Sequence, residues 1–300
     1  MPVAPALHNT CAVVVTYYPD GDFYGRLGKI KPQFPLVVIV DNSSQPTSLP
    51  DGLHRAQNVR VIANQVNLSI AAALNQGVNL AMRDGFEWVV TLDQDTVVAE
   101  DMLATLIGVY QKSDWKNVVI GSNYWDEHRR RDFIRCADTE AVFQERKTLI
   151  TSGTLAPLSL FETIGYFRED YFIDSIDHEF CLRARAHGCR ILISCRPVMR
   201  HSIGAQVEDA SLLRQFMPFN HSPTRKYYIA RNTIATVKSY LFQEPLWSMR
   251  QGWRLLSDFA SIPLFESERS KKAFAFMVGI KHGIAGKMGQ IEKAWPGGSH

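Results

Sequence analysis

Phe86-Glu87-Trp88-Val89-Val90-Thr91-Leu92-Asp93, running into Gln94-Asp95-Thr96, decides the reading of this chain. A short, continuous, β-branched apolar run reads as a strand buried on both faces. Three similar runs precede it: Cys11 to Tyr17, Leu36 to Asp41 and the shorter Val59 to Ala63. Helical stretches separate them. The clearest spans Ser69 to Arg83, with Ser69 as N-cap, an alanine-rich interior and Asp84-Gly85 as stop. Buried strands alternating with helices predict an α/β fold with a mostly parallel sheet. Ligands of such sheets bind beyond the carboxyl ends of the strands. Polar clusters fall there: Thr16-Tyr17-Tyr18-Pro19, Asp41-Asn42-Ser43-Ser44 and Asp93-Gln94-Asp95-Thr96.

From Asn117 the strand-like pieces shorten around a basic loop, His128-Arg129-Arg130-Arg131, which reads as solvated or as a phosphate contact. Ser152-Gly153-Thr154 precedes a helix near Pro157 to Ile164. Tyr171-Phe172-Ile173 leads into a helix that carries Asp177 and Glu179 and ends at His187-Gly188. A strand follows over Arg190 to Ser194, then Arg200-His201. Beyond Pro223 the pattern is helical, punctuated by Pro245 and Pro263. The expected division is an α/β domain over 1–220 and a helical extension over 221–300.

Hydrophobic residues make up 46% and charged residues 21% of the 300, which excludes wholesale disorder. The net charge of +3 makes nucleic acid a poor partner. No apolar run approaches the roughly 20 residues of a spanning helix, and the N-terminus does not read as a signal peptide. The five cysteines lack a C-x-x-C spacing and read as buried, reduced thiols of a cytoplasmic protein. Cys181, His187 and Cys189 are poorly spaced for zinc.

Asp93 and Asp95, spaced i, i+2 at a strand end, suit a hard cation such as Mg²⁺ or Mn²⁺, with positions left open for phosphate oxygens. His201 could complete that shell as a neutral imidazole. Asp177 emerges at a helix start after an apolar approach and could act as general base. Acids at a helix N-terminus also simply favour the macrodipole, which is a serious alternative for Glu179. Arg225, Tyr228 and Arg231, at i, i+3 and i+6, form either a clamp for a diphosphate or acidic acceptor, or one face of an ordinary amphipathic helix.

The ordered set of Thr16-Tyr17-Tyr18-Pro19, Val40-Asp41-Asn42-Ser43-Ser44, Asn67 through Asn75-Gln76-Gly77, Leu92-Asp93-Gln94-Asp95 and Ser152-Gly153-Thr154-Leu155 resembles the family 2 inverting glycosyltransferases. Phe172 to Phe180, Arg200-His201-Ser202-Ile203-Gly204 and the helix with Tyr227-Tyr228 and Arg231-Asn232 continue the resemblance, which spans roughly residues 10 to 240. Within that family it is most similar to bacterial rhamnosyltransferases of surface-polysaccharide assembly. The resemblance implies a GT-A fold, a Rossmann-like sheet flanked by helices. It implies a nucleotide-sugar donor, dTDP-rhamnose in the rhamnosyl subgroup, a saccharide or lipid-linked acceptor, and Mg²⁺ or Mn²⁺. It assigns Thr16, Tyr18, Asp41, Asn67 and Asp93 to the nucleotide, Asp95 and His201 to the metal, and Asp177 to the base. Ser152 and Gly153 join Arg225, Tyr228 and Arg231 on the diphosphate or acceptor side. Two positions depart from the pattern: Ile176 stands where a Glu usually precedes the base, and Ser69 where a Gly is frequent.

A dinucleotide oxidoreductase would need G-x-G-x-x-G, which is absent. A nucleotidyltransferase would need a Gly-rich loop where Tyr17-Tyr18-Pro19-Asp20 stands. A transferase using another UDP- or GDP-sugar stays open, as does a non-catalytic sugar- or membrane-binding module. Between Arg250 and Lys293, eight lysines and arginines face four acids among many bulky apolar residues. That segment is expected to pack on the catalytic domain or a second subunit, or to lie on an anionic membrane surface.

Overall fold

The computed structural model describes residues 3–45, 53, 57–126, 130–138, 140–201 and 221–291, with the His201 side chain outside that set. The four apolar runs form β1 (Thr10–Thr16), β2 (Val37–Asp41), β3 (Val59–Ala63) and β4 (Trp88–Asp93). All four are parallel, paired β3-β2-β1-β4. The sheet continues through β9 (Thr154–Pro157), β6 (Val118–Asp126), β10 (Arg190–His201) and β5 (Val97–Val98). Here it is mixed: β9 is antiparallel to β4 and β6, β10 is parallel to β6, and β5 is antiparallel to β10. Short β7 (Arg131–Asp132) and β8 (Phe143–Glu145) pair with β6 and β10.

Helices α1 (Phe23–Ile30), α2 (Ile70–Arg83), α3 (Met102–Lys112), α4 (Leu158–Ile164) and α5 (Ile176–Ala186) flank the strands in sequence. One core runs through Val14, Ile39, Trp88, Val90, Leu106 and Ile120, all fully buried. This is the mostly parallel α/β architecture expected, with its polar strand ends intact.

The chain divides into two units: 1–167 with 180–202, and 168–179 with 203–300. The second unit contains the helices α6 (Pro223–Tyr240), α7 (Pro245–Phe265) and α8 (Arg269–Ala285). Gly279 and Gly283 bring α8 against the α6 backbone. A Cβ on Gly283 would sit 2.6 Å from the Arg231 carbonyl, and one on Gly279 would strike the Tyr227 carbonyl. Lys226, fully buried, meets Asp258 at 2.6 Å and Glu266 at 2.7 Å, and Lys272 meets Glu266 at 3.1 Å. These ion pairs join all three helices.

Several local expectations are corrected. Pro263 does not end a helix; it lies inside α7, two residues before its end. The strand from Arg190 does not stop at Ser194: β10 passes Pro197 by register shifts against β6 and reaches His201. Cys136 and Cys195 form a disulfide, so not all five thiols are reduced. Cys11, Cys181 and Cys189 are buried and free, and burial pushes Cys11 and Cys189 up to about 12, so they stay protonated. His128 and Arg129 lie outside the described residues, while Arg131 is exposed on β7.

Candidate active site

The first unit gathers its polar residues at the carboxyl ends of β1, β2 and β4. Thr16 and Asp41 are register partners in the parallel β1–β2 pair, which points their side chains to the same face. The Thr16 hydroxyl donates to Asp41 Oδ1 at 2.9 Å, and the Ser43 hydroxyl donates to the same oxygen at 2.7 Å. Ser43 Oγ in turn accepts from the Tyr18 backbone N–H at 2.7 Å. Tyr18 sits at φ +46°, which turns its half-exposed ring outward beside that of Tyr17. Thr16, Tyr18 and Asp41 therefore form one connected set.

Asn67 belongs to a second set. Asn42, missed as a site residue, donates its amide to Asn67 Oδ1 and to the Ser69 carbonyl, both at 3.0 Å. Its Oδ1 accepts from Leu68 N and Asn64 Nδ2, both at 3.1 Å. The signal was present in Val40-Asp41-Asn42, but a buried asparagine tying two loops has no periodicity. Ser69, at φ +106°, occupies backbone that favours glycine, yet its hydroxyl caps α2 by accepting from Ala72 N at 3.1 Å.

Asp93 is half-buried and Asp95 exposed. Thr96 N donates to the Asp93 carbonyl at 3.2 Å, folding the two acids onto one turn. Ser152 Oγ accepts from Asp93 N at 3.1 Å and lies 2.6 Å from Thr96 Oγ1. Gly153 takes φ +74° and donates to the Thr91 carbonyl at 2.8 Å. Ser152 and Gly153, expected on the diphosphate or acceptor side, are buried next to this turn, and Ser152 supports the Asp93 backbone. Gln94, between the two acids, exchanges hydrogen bonds with the Tyr17 backbone at 2.7 and 3.2 Å, binding the ends of β1 and β4 together.

The two carboxylates give an all-oxygen donor set that suits Mg²⁺ or Mn²⁺ with substrate phosphates as further ligands. Among the described residues no group of three or more His, Cys, Asp or Glu side chains forms a metal cluster. His201 ends β10, where Arg200 pairs with Val97, two residues beyond Asp95. Its side chain lies outside the described residues.

In the second unit, the segment before Asp177 is strained, with Phe172, Asp174 and Ser175 at φ +65°, +64° and +62°. Asn232 restrains it, donating Nδ2 to the carbonyls of Tyr171, Ile173 and Asp174 at 2.9, 2.7 and 2.9 Å. The Arg231 guanidinium donates to the Asp170 and Tyr171 carbonyls, both at 3.0 Å, and to Gly289. Arg225 forms a bidentate pair with Asp174 at 3.1 and 3.2 Å. Tyr228 stacks on Phe172 and accepts from Ile291 N at 2.9 Å. In this structure the three residues expected as a ligand clamp make these internal contacts. Tyr228 and Arg231 are about 1% exposed, and all three hold the loop before Asp177.

Asp177 and Glu179 differ in setting. Glu179 is 3% exposed and accepts from the Tyr240 hydroxyl at 3.1 Å. Asp177 is half-buried and lines a cavity of about 380 Å³ with Asp174, His178, His221, Gln251 and Arg254. Its Oδ1 accepts from His178 N at 2.8 Å. Burial, helped by Arg225 and Lys226, pushes the His221 imidazole down to about 4. Burial raises Asp174 against the lowering pull of Arg225. Ile176 is buried, an apolar side chain where a second acid was expected by resemblance.

Residues 29–172 match the sequence pattern of Glycosyl transferase family 2. Over this segment the chain is similar to the family 2 glycosyltransferases. A dTDP-rhamnosyl transferase, RfbF of Shigella flexneri, is 29% identical over 244 residues, covering 77% of this chain and 80% of its own. The fold resembles that of TarS residues 1–349 from S. aureus in complex with UDP-GlcNAc, with a TM-score of 0.52, 15% identity and 93% and 92% of the two chains covered. It also resembles GalNAc-T7 with UDP, GalNAc and Mn²⁺, with a TM-score of 0.54 and 15% identity over 75% of this chain. This chain spans 47% of that longer one. At these identities the solved structures speak for the fold alone. Among the described residues no helix is long and apolar enough to cross a membrane.

Proposed function

We propose that this protein is an inverting glycosyltransferase that moves L-rhamnose from dTDP-rhamnose to a hydroxyl of a glycan or lipid-linked saccharide in surface-polysaccharide assembly. The observation that carries the sugar is the similarity to RfbF across most of both chains. The strand-end groups supply the chemistry. Thr16, Tyr18 and Asp41 would line the base and ribose pocket, with Asn67 shaping the neighbouring loop. Asp93 and Asp95, with His201, would hold Mg²⁺ or Mn²⁺, which neutralises charge on the departing diphosphate when bound.

Asp177 would take the proton of the acceptor hydroxyl. The freed oxygen attacks the anomeric carbon from the face opposite the diphosphate. The bond to the diphosphate breaks, dTDP leaves with the electron pair, and the configuration inverts. The cavity lined by Asp177 supports this reading as space for an acceptor, and the bond from Tyr240 to buried Glu179 favours Asp177 as the base. In this reading the enzyme works in the cytoplasm at the inner face of the membrane, as a peripheral protein.

Thermal unfolding with Mn²⁺ and a panel of nucleotide sugars tests the donor. A bound donor raises the midpoint by mass action. The largest rise is expected with dTDP-rhamnose; a larger rise with a UDP- or GDP-sugar would reassign the donor.

A further inference from the structure

Helix α7 is apolar on two opposite faces. Trp247, Leu255 and Ile262 point into the helical unit and are buried. Leu246, Met249, Trp253, Leu256 and Leu264 recur in steps of three and four, with Ala260 between the last two. At 100° per residue these positions form one stripe opposite the buried face. The five large side chains are each between 64% and 75% exposed. Scattered exposed leucines are ordinary, but a continuous stripe with an exposed tryptophan marks an interaction surface. Over 21 residues the helix is about 30 Å long.

The charge of these helices selects the partner. Asp258 and Glu266 are turned inward onto the buried Lys226 and Lys272. Arg250, Arg269, Lys271, Lys281 and Lys287 are exposed on α7, α8 and the turn after it. Among the described residues the exposed acid on the same helices and their connection is Glu268, which pairs with Lys271. The inward acids thus leave an exposed excess of cations on these helices. A second copy of the chain, meeting this face through a twofold axis, would set cations against cations. An anionic headgroup layer complements them, while the stripe enters the apolar boundary beneath.

We propose that the outer face of α7 docks this protein on an anionic lipid surface, lying in the plane of the membrane without spanning it. This gives a surface to the peripheral placement proposed above, and it would stand if the donor sugar proved different. The test is co-sedimentation of the full chain with phosphatidylcholine vesicles, with and without about one third phosphatidylglycerol. Binding to the anionic vesicles is expected to be at least about tenfold tighter and to fall several-fold in high salt. Trp253→Ser with Leu256→Ser is expected to abolish it. Arg250→Glu with Lys281→Glu is expected to remove the dependence on lipid charge. Both pairs are exposed, so the fold, followed by circular dichroism, and release of dTDP from donor in solution should not change. Loss of dTDP release in wild type would count against the proposed transfer, not against docking. Three results would overturn docking: no sedimentation, binding indifferent to lipid charge and salt, or a dimer in velocity sedimentation that the serine pair dissolves.

Discussion

Asn232 donates its side-chain amide to the carbonyl of Asp174 at 2.9 Å, and the same nitrogen reaches Tyr171 and Ile173. One α6 side chain thereby fixes the positive-φ turn that leads to Asp177. Asn232→Ala leaves those carbonyls without that donor, which costs about 1–3 kcal/mol for a buried group. Thermal unfolding is expected to show that loss. The rate of transfer is expected to fall more than donor affinity, because the turn leads to Asp177, the proposed base, and not to the proposed nucleotide site.

Asp177→Asn keeps the side-chain shape and removes the proton acceptor. Transfer is expected to fall by about 10²–10⁴-fold, the usual worth of a general base. Glu179→Gln is expected to change stability through its bond to Tyr240 while keeping most of the rate. Single-turnover rates of the two variants, measured side by side, decide the assignment. The opposite ranking would move the base to Glu179.

Asp95 is exposed on a turn whose backbone closes from Thr96 N to the Asp93 carbonyl. Asp95→Ala is therefore expected to leave the fold intact. Turnover is expected to drop by about 10²-fold or more, since neutralising a leaving diphosphate is worth several kcal/mol. Full activity of wild type in excess chelator would remove the metal from the account.

Much of this was legible in sequence, for physical reasons. The strands β1 to β4 are continuous apolar runs, and Ser69 announces α2 as a cap. The strand-end acids follow directly from those boundaries. What was not legible was long-range or two-sided. Spacing put Arg225, Tyr228 and Arg231 near one helix face but could not say that they bond to or stack on the 168–174 segment. Cys136 and Cys195 lie 59 residues apart with no local pattern to pair them. The strand expected over Arg190 to Ser194 runs on past Pro197 through register shifts against β6, which no local pattern announces. The two-residue strands β5 and β7 are too short to show a period.

His221 carries a pH signature. Its folded value near 4 lies below the ordinary 6.5, so the unfolded chain binds the extra proton first. Its contribution is complete above about pH 6.5 and is lost as pH falls toward 4. Chemical denaturation across that window is expected to show falling stability, with a shallower fall in His221→Gln. Equal slopes would assign the loss to other groups.

Gly279→Ala places a methyl against the Tyr227 carbonyl and 3.0 Å from Ala230 Cβ. Backbone has little room to yield, so α6 and α8 must separate. A loss of about 1–3 kcal/mol is expected in thermal unfolding. An unchanged midpoint would show that the helices pack less closely.

The central claim is transfer from a nucleotide sugar with dTDP-rhamnose preferred. Its most direct test is the rate of nucleoside diphosphate release by the purified protein with Mn²⁺ and, in separate reactions, dTDP-rhamnose, UDP-sugars and GDP-sugars. The account predicts slow release of dTDP from dTDP-rhamnose, faster than from any other donor and dependent on Asp95. Release from none of the donors, with the fold intact, would contradict it.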